Sequence, residues 1–140
     1  MLADGALHSE RVVAGGAIAL DYPATKALVG LAYTSRLRTL RVEGGAIGTA
    51  QGKVKRIARL TVRVLNGMGG KAGTDEALME DLIRRDASDP MDASPPLRSG
   101  DFDVFPASDY DGEGQITIVQ EEPLALDILA VMPRVIVGEG

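Results

Sequence analysis

The sequence contains no cysteine and no tryptophan, and it has only one histidine, three tyrosines and two phenylalanines. The lack of cysteine excludes disulfide bonds and thiolate metal sites, and it leaves the redox compartment open. Because aromatic residues make up only 4% of the chain, we expect a core built from aliphatic side chains.

Long apolar runs are also missing. The best candidate, residues 124–137, is interrupted by Asp127, Pro133 and Arg134, so we do not expect it to cross a bilayer. The first residues, MLADGALHSER, lack the basic-then-apolar layout of a signal peptide. We therefore expect a soluble protein with no membrane partner and no classical export signal.

The most regular pattern in the chain lies in residues 52–66, GKVKRIARLTVRVLN. From position 58 to position 64, apolar residues alternate with polar or cationic ones, which indicates a strand with one dry and one wet face. Lys55, Arg59 and Arg63 fall in the register of the wet face. With 140 residues, seventeen glycines and seven prolines, the chain is predicted to form one all-β domain over residues 1–140. An antiparallel sandwich and a barrel-like domain fit the pattern equally well.

Shorter patterns predict the elements around this strand. Asp4-Gly5 and Gly15-Gly16 lie between apolar residues and predict tight turns. Further strands are expected in residues 26–33, 35–42, 101–105, 115–120 and 124–132, with an irregular loop at 86–100 and a frayed tail at 138–140.

Residues 74–85 are the one stretch with helical features. Thr74 can cap a helix, Asp75 and Glu76 would lie in its first turn, and Arg84 and Arg85 would lie at its end. Four apolar residues fall on one helical face: Leu78, Met79, Leu82 and Ile83. We expect at most one short helix near residues 75–85 in the all-β fold.

The net charge of −5 is unevenly distributed along the chain. Residues 34–71 hold nine basic residues and one acidic residue, whereas residues 75–127 hold fifteen acidic and three basic residues. Either the two blocks face each other across one sheet, or the basic surface of one copy meets the acidic surface of the next, which can close a ring. The sequence pI of 4.8 argues against nucleic acid as the partner.

Residues 109–116 resemble the first part of a calcium-binding loop. Asp109, Asp111 and Glu113 occupy its positions one, three and five, and Gly114 occupies position six. Position twelve is Gln120 instead of the bidentate glutamate, and a strand follows in place of the exiting helix. An acidic hairpin turn is the alternative, so calcium at Asp109, Asp111 and Glu113 is a possible but not a required cofactor.

No set of residues in the sequence predicts an active site. Asp101, Asp103, Asp109 and Asp111 could in principle supply paired carboxylates, but they fall in loop-rich, solvated chain. His8 is near the terminus, and no cleft is implied that would make it part of a hydrolytic triad. We therefore expect that the protein is not an enzyme.

Several stretches, in their order along the chain, are similar to the C-terminal region of one family of virion proteins. They read VGLAYTSRLRTL (29–40), GTAQGKVKRIARLTVRVLNGMGG (48–70), DPMDASPPLRSGD (89–101) and DGEGQITIVQEEPLALDILAVMPRV (111–135). The family comprises the tail nozzle, or tail tubular B-type, proteins of short-tailed phages and prophages, also described as stabilisation proteins. LADGAL (2–7) and VVAGGAIALDYPA (12–24) resemble the segment that precedes these motifs in the family. Ala32 stands where the family usually has proline, and family members are several times longer.

The resemblance implies a non-enzymatic structural protein of the virion tail, assembled in the cytoplasm of the bacterial host. Its partners would be copies of itself in a ring, other tail proteins, or both, without specific nucleic-acid binding. On this hypothesis Lys55, Arg59 and Arg63 form the basic side of a subunit contact. Lining a DNA channel is less favoured for them, since phosphate attraction would retard the genome. The alternative is a calcium- or carbohydrate-binding β-sandwich module that uses the 109–113 loop.

Overall fold

The computed structural model describes residues 1–45, 48–90 and 93–138. The protein is all-β and sandwich-like, which confirms the predicted fold class. The strands are β1 (Leu2–Ala3), β2 (Ala6–Leu7), β3 (Ala27–Leu28), β4 (Ser35–Arg38), β5 (Gly44–Gly45), β6 (Gly48–Thr49), β7 (Lys55–Gly67), β8 (Lys71–Gly73), β9 (Glu80–Asp81), β10 (Arg98–Val104), β11 (Thr117–Gln120) and β12 (Asp127–Val137). No helix in these ranges has the length and apolarity that crossing a membrane requires.

Two antiparallel sheets enclose the core. The first has the strand order β10-β7-β12, and the second has the order β4-β11-β8-β9. Leu60, Val62 and Val64 of β7 are buried against Ala72 of β8 and Ile118 of β11. Fully burying side chains of this kind contributes about 1.5–3 kcal/mol each. The long alternating strand predicted from the sequence is thus confirmed as the central strand of its sheet.

A bulge near the start of β7 changes which side chains face the core. Against β12, the register shifts by one residue at Ala58. Because successive side chains of a strand point to opposite faces, one extra residue reverses the alternation on its N-terminal side. Ile57 and Lys55 are therefore buried, although the sequence pattern assigned them to the wet face together with Arg59.

A second register shift lies in β12, at Leu129. It separates Ile128, which packs on the core, from Met132, which lies on the outer face of the sheet and is exposed. The alternation predicted through residues 124–132 is therefore interrupted. β12 is an edge strand, and it contains Pro133 opposite Leu60 of β7.

The first residues form a third sheet, with the order β2-β1-β3. Asp4 and Gly5 have φ angles of 50° and 83°, as the predicted tight turn between β1 and β2 requires. The Asp4 carboxylate accepts the N–H groups of Thr25 (3.0 and 3.1 Å) and Lys26 (2.7 Å). These hydrogen bonds lower the pKa of Asp4 and tie β3 to the hairpin. The predicted turn at Gly15-Gly16 also forms, but an isolated bridge replaces longer strands around it.

The prediction of at most one short helix near residues 75–85 is confirmed: the segment forms one 3-10 turn at Glu76–Leu78, shorter than its helical pattern over 74–85. Asp75, instead of Thr74, caps this turn by accepting the N–H of Ala77 at 2.9 Å. The chain then forms β9 opposite β8, and the N–H of Leu82 donates to the Gly70 carbonyl at 2.8 Å. Pairing with β8 therefore overrides the local helical preference.

The predicted loop and tail agree only in part with the structure. The N–H of Gly138 donates to the Val54 carbonyl at 2.9 Å, so the tail is not frayed at this residue. Residues 139–140, and residues 91–92 of the predicted loop, lie outside the described residues. The described part of the 86–100 segment is irregular up to β10.

Candidate interaction surface

The outer face of the first sheet carries two arginine–aspartate pairs between β7 and β10. Arg63 lies opposite Asp101, and its Nε and Nη2 donate to the two carboxylate oxygens at 2.7 and 2.9 Å. Arg59 makes the same two-pronged contact with Asp103, with Nε donating to Oδ1 at 2.9 Å. The Thr61 hydroxyl donates to the same Oδ1 at 2.6 Å. Such bidentate pairs fix the orientation of both side chains.

These contacts lower the pKa of both aspartates. The largest cause for Asp101 is the hydrogen bond from Arg63, and for Asp103 it is the hydrogen bond from Arg59, followed by the one from Thr61. The same bonds raise the pKa of both arginines. The four groups are charged at neutral pH and neutralise one another within one copy of the chain.

Lys55 does not belong to this face, so the prediction that it shares a solvated face with Arg59 and Arg63 is wrong. Its side chain is only 1% exposed, because the bulge at Ala58 turns it inward. The ammonium donates to the Gly112 carbonyl at 2.8 Å. Arg59 and Arg63 remain together on the outer face, and their role in a subunit contact remains a prediction.

The acidic loop does not bring Asp109, Asp111 and Glu113 together. One oxygen of Asp111 accepts the N–H groups of Glu113 (2.6 Å) and Gly114 (2.5 Å), so this carboxylate closes its own turn. Glu113 instead lies 3.5 Å from the Arg41 guanidinium. Within the described ranges, no three side chains of the metal-ligating types are grouped to hold an ion.

A lysine from β7 binds this loop. The backbones of Lys55 and Asp111 exchange both hydrogen bonds, at 2.6 and 2.9 Å. The Lys55 side chain packs against Gly114. A Cβ atom at position 114 would lie 3.1 Å from the Cδ of Lys55. The loop that the sequence presents as a calcium site therefore receives its positive charge from Lys55.

His8 is buried among main-chain partners. Its Nδ1 donates to the Ser9 carbonyl at 3.0 Å, and its Nε2 accepts the N–H of Asp21 at 3.2 Å. Tyr22 stacks obliquely on the ring, with 4.9 Å between centroids. The Nε2 bond thus holds Asp21 beside His8 and closes the 9–21 segment.

Several charges of the basic and acidic blocks meet within one copy. Besides the two pairs on the outer face, Arg36 contacts Glu76 and Lys71 contacts Glu121, each at 3.0 Å. For these residues the structure favours the first interpretation, in which the blocks face each other across a sheet.

Residues 28–40 form an exposed apolar ridge that sequence reasoning missed. Leu31, Leu40 and Tyr33 are 96%, 88% and 75% exposed. Only Ala27–Leu28 of the predicted 26–33 strand is a strand. Residues 29–34 form no strand, and the apolar residues that predicted one carry no sequence signal that they stay outside the core.

Comparison with known proteins leaves the family open. No protein-family model matches the chain, and no curated protein matches it either.

Proposed function

We propose that this protein is a non-enzymatic structural subunit of a phage or prophage virion tail, of the tail nozzle type. In this role it contacts copies of itself in a ring, and other tail proteins, and its location is the virion tail. The order of the resembling stretches along the chain supports the proposal. So does the all-β fold, in which these stretches supply the central strand, the start of β10, most of β12 and the exposed ridge.

The exposed ridge is the observation that carries the proposal. It coincides with VGLAYTSRLRTL, the first of the resembling stretches. Leu31 and Leu40 are almost completely exposed, and large apolar side chains that the core leaves exposed within one short segment are candidates for protein contacts. A subunit whose neighbours cover this segment accounts for apolar residues that its own core leaves out.

Light scattering of the chain, over a range of concentrations and at low and high salt, tests the proposal. We expect a mass above the 14.7 kDa of one copy, and a fall in mass on dilution. Leu31→Ser with Leu40→Ser should lower the mass without changing the unfolding curve, because both side chains are exposed. Leu97→Ser, at an exposed leucine outside both the ridge and β7, is the control and should leave the mass unchanged. A monomer at every concentration would count against the proposal.

The alternative is a calcium- or carbohydrate-binding module that uses the 109–113 loop. Calorimetric titration with calcium distinguishes it from the tail subunit. A micromolar site that is lost in Asp111→Ala would replace the proposal, whereas no heat of binding would leave the loop as a structural turn held by Lys55.

A further inference from the structure

The two edges of the second sheet carry opposite charges. β4 contributes Arg36 and Arg38, and β9 consists of Glu80 and Asp81. Each of these strands pairs on one side only within the described part of the chain. Arg36 is bound to Glu76, and Glu80 lies 3.6 Å from Arg84, so Arg38 and Asp81 are the edge charges without an ion pair among the described residues.

The backbone of both edges is oriented for strand addition. The N–H of Thr39 donates to the Ile116 carbonyl at 2.9 Å, and the N–H of Leu82 donates to the Gly70 carbonyl at 2.8 Å. Hydrogen-bonding groups alternate in direction along a strand. The N–H and C=O of Arg38 and of Asp81, one residue earlier in each case, therefore point away from the sheet.

The side chains of these two residues also lie on the same face of the sheet. Arg36, Val119, Lys71 and Asp81 form one continuous row of paired residues across the four strands. Arg38 is two residues from Arg36 and so shares its face. When a second copy adds a strand at either edge, Arg38 of one copy can therefore lie beside Asp81 of the other on the same face of the sheet.

The strand directions favour copies that are all oriented alike. Four antiparallel strands give a sheet whose edge strands β4 and β9 run in opposite directions. A second copy, rotated about an axis parallel to the strands, then places its β9 antiparallel to β4 of the first. This contact is heterologous, and it closes into a ring when the rotation permits.

We propose that β4 of one copy pairs with β9 of a second copy, with Arg38 beside the Asp81 carboxylate of that copy, so that the second sheet continues from subunit to subunit. The proposal rests on the proposed function and specifies its subunit contact. Pairing of β4 with β4 of another copy is disfavoured, because it sets arginine against arginine. The added strand would also lie against two exposed leucines, Leu40 beside β4 and Leu78 beside β9.

A charge exchange tests this contact. Arg38→Glu and Asp81→Arg should each weaken self-association about tenfold or more, since like charges then meet at the edge. The double variant Arg38→Glu/Asp81→Arg should restore association, and so should an equimolar mixture of the two single variants. Lys53→Glu, an exposed cation away from both edges, controls for net charge and should have little effect.

Oxidative cross-linking gives a second measurement, since the chain has no cysteine of its own. Arg38→Cys/Asp81→Cys should form a ladder of disulfide-linked oligomers, whereas either single variant should stop at dimers. The two positions are three strand spacings apart within one copy, about 14 Å, too far for an internal disulfide.

The outcomes separate the two proposals. If the wild-type chain assembles but the charge variants assemble equally well and no ladder forms, the β4–β9 contact is wrong and the tail-subunit proposal stands. If the wild-type chain is monomeric at every concentration, both are overturned.

Discussion

Lys55 joins the central strand to the acidic loop through one side chain. It is buried by the bulge at Ala58, and its ammonium binds the Gly112 carbonyl. The Asp111 carboxylate accepts backbone N–H groups and Glu113 lies near Arg41, whereas Lys55 binds the backbone of the loop. A residue that the sequence places on the surface thus has a structural role in the interior.

Replacing Lys55 by methionine should destabilise the fold by about 1.5–3 kcal/mol, the usual contribution of a hydrogen bond to a charged group. Methionine keeps most of the apolar stem and removes only the ammonium. Urea unfolding measures the change, and Lys53→Met, at an exposed position, should stay within about 0.5 kcal/mol of wild type. A Lys55→Met variant as stable as wild type would show that the ammonium does not hold the loop.

Gly67 is required at the end of β7 because a neighbouring side chain fills the space of a Cβ atom. A Cβ built there would lie 2.3 Å from Val64 Cγ1 and 2.9 Å from Ile83 Cδ1. Gly67→Ala should therefore cost about 1–3 kcal/mol through overpacking. Gly30→Ala is the matched control, since nothing lies within 4 Å of its Cβ position. Equal unfolding midpoints for the two variants would contradict the prediction.

At the scale of elements, the bulge in β7 lets the core bury two residues that strict alternation would place on opposite faces of the sheet. Ile57 and Leu60 are both buried, whereas strict alternation would bury only one of them. Ile57→Ala and Leu60→Ala should each cost about 2–5 kcal/mol, and Leu65→Ala should change stability by no more than about 0.5 kcal/mol. Chemical denaturation of the three variants measures these changes. An Ile57→Ala variant as stable as wild type would contradict the burial of Ile57 by the bulge.

The arginine–aspartate pairs between β7 and β10 make the stability of the first sheet dependent on pH. The pKa values of Asp101 and Asp103 are lower in the folded chain than in the unfolded one. Their stabilisation is therefore complete above the unfolded pKa of about 3.9, and it is lost as the pH falls through the lower folded values. The urea midpoint should fall over this acid range.

The double variant Asp101→Asn/Asp103→Asn is the control for that pH dependence. It should be less stable than wild type at neutral pH and should lose less stability on acidification. A residual slope is expected, because the pKa values of Asp4 and Asp89 are lowered as well. An unchanged acid slope in the variant would show that the two pairs do not contribute.

Sequence patterns identify the elements that depend on local chemistry. The Asp4-Gly5 turn follows from its residue types, and the length of β7 follows from its alternation. The bulge at Ala58 could not be predicted, because it depends on the register of β12. The helical pattern of residues 74–85 yields only one 3-10 turn for a similar reason: Asp75 caps that turn, but β8 offers the residues after it a strand partner.

At the scale of the molecule, the sequence predicts the two charge blocks but not which charges meet. Arg63 and Asp101 are 38 residues apart and become neighbours only when β10 pairs with β7. Of the three cations predicted to share the solvated face of β7, Arg59 and Arg63 lie on it and Lys55 does not. The exposed ridge and the charged edges of the second sheet emerge only from the strand order.

The arrangement of the sheets also predicts how the molecule opens. β7 is paired on both sides and is buried on one face, whereas the third sheet consists of two-residue strands. Amide hydrogens of the buried part of β7 should exchange only on global unfolding, and those of β1 to β3 should exchange by local opening. Hydrogen exchange measured by mass spectrometry tests this order, and equal protection of both regions would contradict it.

Pro133 has a consequence for solubility. It lies within β12, the longest edge strand among the described residues, and a proline nitrogen carries no hydrogen to offer an incoming strand. Edges of this kind otherwise nucleate fibrils, and a central proline blocks that growth. A second copy added at this edge would therefore meet a position that offers no hydrogen bond, so β12 resists the edge-to-edge association that would lower the solubility of the chain.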